Sequence, residues 1–283
     1  WFDLGGRKTG TVAEPAPFIQ LAIAPDGRRV VTARIGVDGM PELWMYDLVR
    51  GLGGRFTFGD DTALFPVWSP DSRRVAYTDG AGRILAKSAD GVGDPEIIIG
   101  KKDELRTPVD WSPDGTTLLF RVQTPSSGLD LQMVSTTGDH AIADRMASVG
   151  NQTLARMSPD GRWLAFLSDE SGDQEQVFIV PFKGTGGKWQ VTSGGATGFR
   201  WMPGGEKLVY EAPDGKLMVV AMTAQGANLE IGAPAPFLGG EPAPDEWLIA
   251  PDGKRILGTV AVGEGPTAPL VLVTNWARSL ERP

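Results

Sequence analysis

The sequence predicts an all-β fold. It is a six-bladed β-propeller of four-stranded antiparallel blades, closed by N-terminal strands that complete the last blade. Three observations point there. A Pro-Asp-Gly-like tetrapeptide recurs six times at a nearly constant period. A short apolar run follows most copies at a fixed offset. The 38 glycines and 22 prolines among 283 residues are dispersed along the chain, as the many turns of an all-β fold require.

The repeat comes first, because self-similarity at a period in the mid-forties matches one four-stranded blade. Its copies are Ala24-Pro25-Asp26-Gly27, Ser69-Pro70-Asp71-Ser72, Ser112-Pro113-Asp114-Gly115, Ser158-Pro159-Asp160-Gly161, Met202-Pro203-Gly204-Gly205 and Ala250-Pro251-Asp252-Gly253. Successive prolines lie 45, 43, 46, 44 and 48 residues apart. Each copy reads as a turn between the innermost and second strands. Proline presets φ at the second turn position, aspartate accepts hydrogen bonds from N–H groups ahead of it, and glycine takes positive φ at little cost. Ser72 and Gly204 depart from the pattern, so altered turns are expected in blades two and five. A seventh copy, Pro213-Asp214-Gly215, is out of register and reads as the next hairpin turn of blade five.

The flanks repeat as well. Ile23, Trp68, Trp111, Met157, Trp201 and Ile249 precede the motif. Runs such as Val75-Ala76-Tyr77, Leu118-Leu119-Phe120, Leu164-Ala165-Phe166 and Leu208-Val209-Tyr210 follow it. Continuous apolar runs of this length suit strands buried on both faces, the condition of a strand sandwiched between neighbouring blades. Third strands are expected at 42–47, 84–88, 130–135, 176–181, 217–222 and 269–275. Fourth strands are expected at 55–58, 96–99, 141–145, 189–192 and 229–232. No fourth strand follows Trp276, so residues 1–12, read as strand, Gly5-Gly6 turn, strand, are expected to supply it beside 269–275. The whole of 1–283 is then one domain. Its blades fall near 13–58, 59–99, 100–146, 147–192, 193–238, and 239–276 joined with 1–12.

Composition narrows the function. The net charge is −8 and the basic pairs Arg28-Arg29, Arg73-Arg74 and Lys101-Lys102 are isolated, so no phosphate-tracking surface is predicted and nucleic acid is not an expected partner. The chain has no cysteine, which excludes disulfides and thiolate metal sites. No apolar run is long enough to span a bilayer, so a membrane enters only through a segment outside this chain. The chain starts at Trp1 without an initiator Met and reads as a processed piece of something longer. A monomer is expected.

Catalytic signatures are sparse. His140 is the single histidine and sits in a Thr137-Gly138-Asp139-His140 turn. A base or metal ligand is one reading, and a solvated turn histidine is the ordinary one. There is no Gly-x-Ser-x-Gly elbow. The Ser158–Trp163 stretch has a faint likeness to a sialidase Asp-box, but a structural turn explains it. The acidic run Asp169–Glu175 lacks the ordered spacing of a calcium loop. Gly184-Thr185-Gly186-Gly187-Lys188 lacks Walker spacing. No cofactor and no metal is called for. Trp68, Trp111 and Trp201 hold one repeat position and read as core, whereas Trp163 aligns with mostly polar residues and reads as exposed.

The repeats resemble the WD-like propeller repeats of the TolB family over the whole chain. Three further stretches are more particular: Asp169-Glu170-Ser171-Gly172, Val177–Phe182, and Gly186–Gly195. They resemble the propeller that follows a membrane-spanning segment in some bacterial, notably acidobacterial, serine/threonine protein kinases. The ending Leu272-Val273-Thr274-Asn275-Trp276 is similar to theirs. The resemblance implies an extracytoplasmic propeller that binds a protein or small ligand, and it carries over no catalytic residue. The alternative is a propeller hydrolase, lyase or lactonase with acidic groups at its channel. The binding surface is expected at the channel mouth on the face of the inter-blade loops. Its candidate residues are Phe18, Phe65, Arg106, Asn151, Gln152, Arg200 and Trp247, which mix aromatic anchors with directed hydrogen-bonding groups.

Overall fold

The computed structural model describes residues 1–59, 62–100, 104–124, 128–146, 152–172, 174–183, 186–226, 228–240 and 243–261. Six antiparallel sheets form a ring. Blade 1 holds Phe18–Ile23, Arg29–Ile35, Pro41–Asp47 and Leu52–Arg55. Blade 2 holds Ala63–Trp68, Arg74–Asp79, Ile84–Ser88 and Glu96–Ile99. Blade 3 holds Arg106–Trp111, Thr117–Thr124, Gly128–Ser135 and Ile142–Met146. Blade 4 holds Gln152–Met157, Trp163–Ser168, Gln176–Pro181 and Trp189–Gln190. In blade 5, Gly198–Trp201, Lys207–Glu211 and Leu217–Gln225 are followed by a split outer edge, Asn228–Ile231 and Ala235–Pro236. Blade 6 pairs Trp247–Ile249 with Arg255–Gly258, and Phe2–Asp3 joins the latter. Inner strands of consecutive blades are neighbours all the way round, the last against the first.

The turns explain the period. In all six repeats the backbone N–H of the last turn residue donates to the carbonyl of the first, at 2.8–2.9 Å. In five of them the Asp Oδ1 then accepts from the N–H two residues on, as Arg28 does with Asp26 and Lys254 with Asp252. Where serine opens the turn, its Oγ also donates to the aspartate and accepts from the first residue of the second strand. The two departures leave the turn unchanged. Ser72 adopts φ +60°, beside +69° for Gly27 and +75° for Gly115. Its Oγ accepts from the Asp26 N–H of blade 1 at 3.0 Å, a contact that fixes a residue in a region serine seldom visits. At Gly204 only the side-chain acceptor is lost. Pro213-Asp214-Gly215 forms the expected hairpin between Lys207–Glu211 and Leu217–Gln225, with Gly215 N–H on the Ala212 carbonyl at 2.9 Å.

The apolar runs fill the spaces between blades, and successive residues go to opposite sides. Val75 and Tyr77 pack against blade 1, while Ala76 packs against blade 3. Leu118 and Phe120 pack against blade 2, while Leu119 packs against blade 4. Leu164 and Phe166 face blade 3, and Ala165 faces blade 5. Trp68 and Trp111 are buried as expected, at 6% and 4% exposure, and Trp201 is half-buried. Trp68 and Trp201 also stitch blades together. Their indole N–H groups donate to the carbonyls of Ala22 and Arg156 in the preceding blade, at 3.0 and 3.1 Å.

Three expectations need correction. The outer strand of blade 1 starts at Leu52, not at Arg55. Asp47 folds a tight turn by accepting from the Val49 and Arg50 N–H groups, and Phe56 then bends back onto the Leu43 carbonyl. The N-terminus does complete the last blade, but Phe2 and Asp3 pair directly with Ile256 and Arg255. The expected intervening strand 269–275 lies outside the described residues. Lys8 bridges back to Phe2, so the turn at Gly5-Gly6 adds a further outer layer. Finally, Trp163 is buried at 6% exposure, edge-on to Trp189 with ring centroids 5.5 Å apart.

Candidate functional site: the channel wall of blades 3 to 6

The residue just before the inner-strand aromatic occupies one repeat position: Ala22, Val67, Asp110, Arg156, Arg200 and Leu248. In three successive blades that position is charged. Asp110, Arg156 and Arg200 therefore stand side by side on neighbouring inner strands. Glu246 borders the start of the sixth inner strand, and Arg121 and Glu211 stand on second strands.

Backbone contacts lock this cluster. The Asp110 carboxylate accepts from the Met157 N–H of blade 4 at 2.6 Å and from the Trp111 N–H at 2.9 Å. Arg156 Nη1 donates to the carbonyls of Val109 in blade 3 and of Ala155. Arg200 Nη1 donates to the Phe199 carbonyl at 2.7 Å, and its guanidinium lies 5.3 Å from the centre of the Trp247 ring. The Trp247 indole N–H is held by Glu211 at 3.0 Å. Arg121 donates to the Thr153 carbonyl at 2.5 Å, and the Thr153 hydroxyl donates to Glu175 at 2.6 Å.

The charged side chains are only half covered, because they border the channel, yet protein encloses them closely enough that burial is the largest influence on their ionisation. Burial lowers Arg200 to about 10, and repulsion from Arg156 adds to the effect, while Glu246, Asp110 and Glu211 oppose it. Arg156 and Arg121 are lowered for the same leading reason. Burial raises Asp110 against the pull of Arg156, and it raises Glu246 against the pull of Arg200 and Arg156. A guanidinium keeps its proton in proteins, so these groups act as cations. Their donors work in an enclosed setting, where charge–charge terms exceed those in bulk water.

The sequence-derived candidates divide. The structure brings Arg200 and Trp247 into contact, with Trp247 buried at 3% exposure. Phe18 and Phe65 are half-buried at inner-strand starts. Phe18 meets Tyr46 edge-on at 6.4 Å, and Phe65 holds φ +58° with its N–H on Gln20 Oε1 at 2.7 Å. Arg106 is buried and ion-paired to Glu104, and Gln152 is buried. Neither is an open loop group, because the inner strands already begin there. Asn151 lies outside the described residues. His140 is a tethered turn residue, its ring nitrogens 3.0 Å from the Ser135 carbonyl and 3.2 Å from Glu96. Among the described residues no group of three or more His, Cys, Asp or Glu side chains is arranged to hold a metal ion. The sequence reading missed Asp110 and Arg156. The signal was present at their shared repeat position, where charge replaces Ala22, Val67 and Leu248.

The family profile of the TolB beta propeller domain matches residues 54–274. The chain belongs to the TolB β-propeller family. Two solved TolB structures superpose on it. A structure from Agrobacterium tumefaciens, provisionally assigned to TolB, aligns with a TM-score of 0.67 and 22% identity, over 91% of this chain and 97% of that one. TolB from Acinetobacter baumannii aligns with a TM-score of 0.63 and 18% identity, over 82% of this chain. This chain spans 60% of that protein. The same architecture also carries enzymes: an oligogalacturonate lyase in complex with manganese aligns with a TM-score of 0.58 and 17% identity, over 87% of this chain and 71% of that one. At these identities the solved structures bear on the TolB-family chain's fold alone.

Proposed function

We propose that this TolB-family propeller is a non-catalytic binding module, whose partner presents a polar or charged group to the channel between blades 3 and 6. The observation that supports this reading is the Arg156–Arg200 pair. Two guanidiniums from adjacent inner strands border the channel, and the protein leaves part of their donor capacity unused. Enclosed polar groups without partners are costly to folding and are a common mark of a binding site. Half-buried Phe18 and Phe65 would add apolar contact at inner-strand starts. An extracytoplasmic position, at the end of a bacterial signalling kinase as the sequence resemblance implies, belongs to this proposal.

The experiment is affinity capture from an extracytoplasmic fraction, comparing the wild type with Arg200→Ala and Phe65→Ala after equal melting has been shown. The reading expects a saturable partner that Arg200→Ala releases. Capture that survives both channel changes, but is lost on substitution of the Pro-Asp-Gly turn face, would contradict it. So would turnover of an oligogalacturonate or a sugar lactone that falls with Arg200→Ala.

A further inference from the structure

The channel arginines can be counted donor by donor. Arg156 spends Nη1 on two backbone carbonyls and Arg200 spends Nη1 on one. Arg200 Nε is closed off from solvent with no hydrogen-bond partner. Among the described residues neither guanidinium has a carboxylate within 4.0 Å. The surrounding acids are engaged elsewhere. Asp110 takes two backbone N–H groups, Glu211 takes the Trp247 indole, and Glu175 takes the Thr153 hydroxyl. Glu246 is the exception. It directly precedes Trp247, whose ring the Arg200 guanidinium contacts, and no hydrogen bond to its carboxylate is present among the described residues.

We infer that Arg156 and Arg200 form a receptor for a single carboxylate group, supplied by a small organic acid or by an acidic side chain of a peptide, with Glu246 as its internal competitor. This rests on the binding reading of the same channel. With Nε closed off, Arg200 offers Nη2 and the second Nη1 hydrogen, a planar pair that can engage a planar carboxylate through two parallel hydrogen bonds. A doubly charged phosphate is disfavoured, because Asp110 and Glu246 flank the pair and would repel the second charge. The cation–π contact of Arg200 with Trp247 and its hydrogen bond to the Phe199 carbonyl hold this guanidinium in place before any ligand arrives, which limits the ordering entropy of binding.

The test is calorimetric titration of the whole chain with acetate, glutarate and a hexaglutamate peptide, each against sodium chloride of equal ionic strength. The expected result is saturable binding of at least one carboxylate probe. Arg200→Lys, which keeps the charge and loses the fork, should weaken it about tenfold or more. Glu246→Gln, which removes the competing charge and nearly preserves shape, should tighten it by about threefold to tenfold. Glutarate binding as tightly as the peptide assigns a free acid, and peptide binding alone assigns an acidic side chain. The inference is overturned if no probe saturates, if Arg200→Lys binds as the wild type does, or if Glu246→Gln fails to tighten binding. A captured partner that depends on Arg200, with no carboxylate probe bound, would sink the carboxylate assignment and leave the binding reading standing.

Discussion

Two kinds of blade junction coexist in this ring. Between blades 1 and 2, 2 and 3, 3 and 4, 4 and 5, and 5 and 6, a cluster of buried apolar side chains fills the gap. Between blade 6 and blade 1 no such cluster is present among the described residues. A cleft of about 810 Å³ lies there instead, lined by Phe2, Leu21, Val30, Thr32, Tyr46 and Leu257 among others. The sequence contains the difference. The third residue of the second-strand run faces the preceding blade, and it is Tyr77, Phe120, Phe166 and Tyr210 in blades 2 to 5. Blade 1 has Thr32 at that place, and the Thr32 hydroxyl is buried without a partner among the described residues. Blade 6 has Gly258 at the same place, and there Trp247 and Ile256 fill the junction with blade 5, so the open interface is the one that lacks both the ring and such a substitute. Phe2–Asp3 pairs with Ile256–Arg255 beside it.

Substitutions can break or sharpen that contrast. Trp111→Ala should have the largest effect, because Trp111 is buried between blades 2 and 3, lies under Arg74, and donates to the Gly115 carbonyl. A loss of about 3–5 kcal/mol is expected in denaturant melts, as for other large core deletions. A loss below about 1 kcal/mol would remove Trp111 from the core. Phe2→Ala, at the last blade, should cost about 1–2 kcal/mol, since Phe2 is only half-buried and packs at the edge of the junction between blades 5 and 6. Were Phe2→Ala as damaging as Trp111→Ala, Phe2 would be a fully packed core residue and not one at the edge of its junction. Thr32→Val replaces an unpartnered buried hydroxyl by a methyl and should raise stability by about 1 kcal/mol. A net loss would mean that the hydroxyl is satisfied in solution.

The smallest effect is one of pH, at the turns. The Ser112 hydroxyl, the Thr116 N–H and the Thr116 hydroxyl hold Asp114 well below the ordinary carboxylate range, and the Ser69 hydroxyl leads the same lowering at Asp71. A carboxyl depressed in the folded state contributes stability that is fully present above its unfolded pKa, near 4, and is lost as pH falls through the folded value. Melting temperature should therefore fall below about pH 4. The fall should be shallower in Asp114→Asn, which cannot titrate. Equal slopes in the two proteins would remove the turn from acid unfolding.

Much of this was legible in the residues. The Pro-Asp-Gly period locates the blades because each copy closes the same hydrogen-bonded turn, and even Ser72 keeps that geometry. Doublets such as Leu118-Leu119 announce sandwiched strands because a strand with blades on both sides sends alternate residues into different cores. Other features depend on contacts between blades and are harder to read. Trp163 aligns with polar residues, yet Trp189 covers it from within the same blade. Arg106 looks like a loop residue, but its ion pair with Glu104 closes it off. Arg156 and Asp110 become a site only when three blades are compared at one position, since apolar side chains occupy that position in the other three.

The most direct test of the channel assignment watches the guanidiniums themselves. In a titration of ¹⁵N-arginine-labelled protein with glutarate and with hexaglutamate, the side-chain Nε–H resonances of Arg156 and Arg200, assigned through Arg156→Lys and Arg200→Lys, should shift together and saturate. Arg7 and Arg50, exposed far more fully, should stay in place. Shifts spread over the exposed arginines alone, or no saturable shift at Arg156 and Arg200 with either probe, would contradict the account.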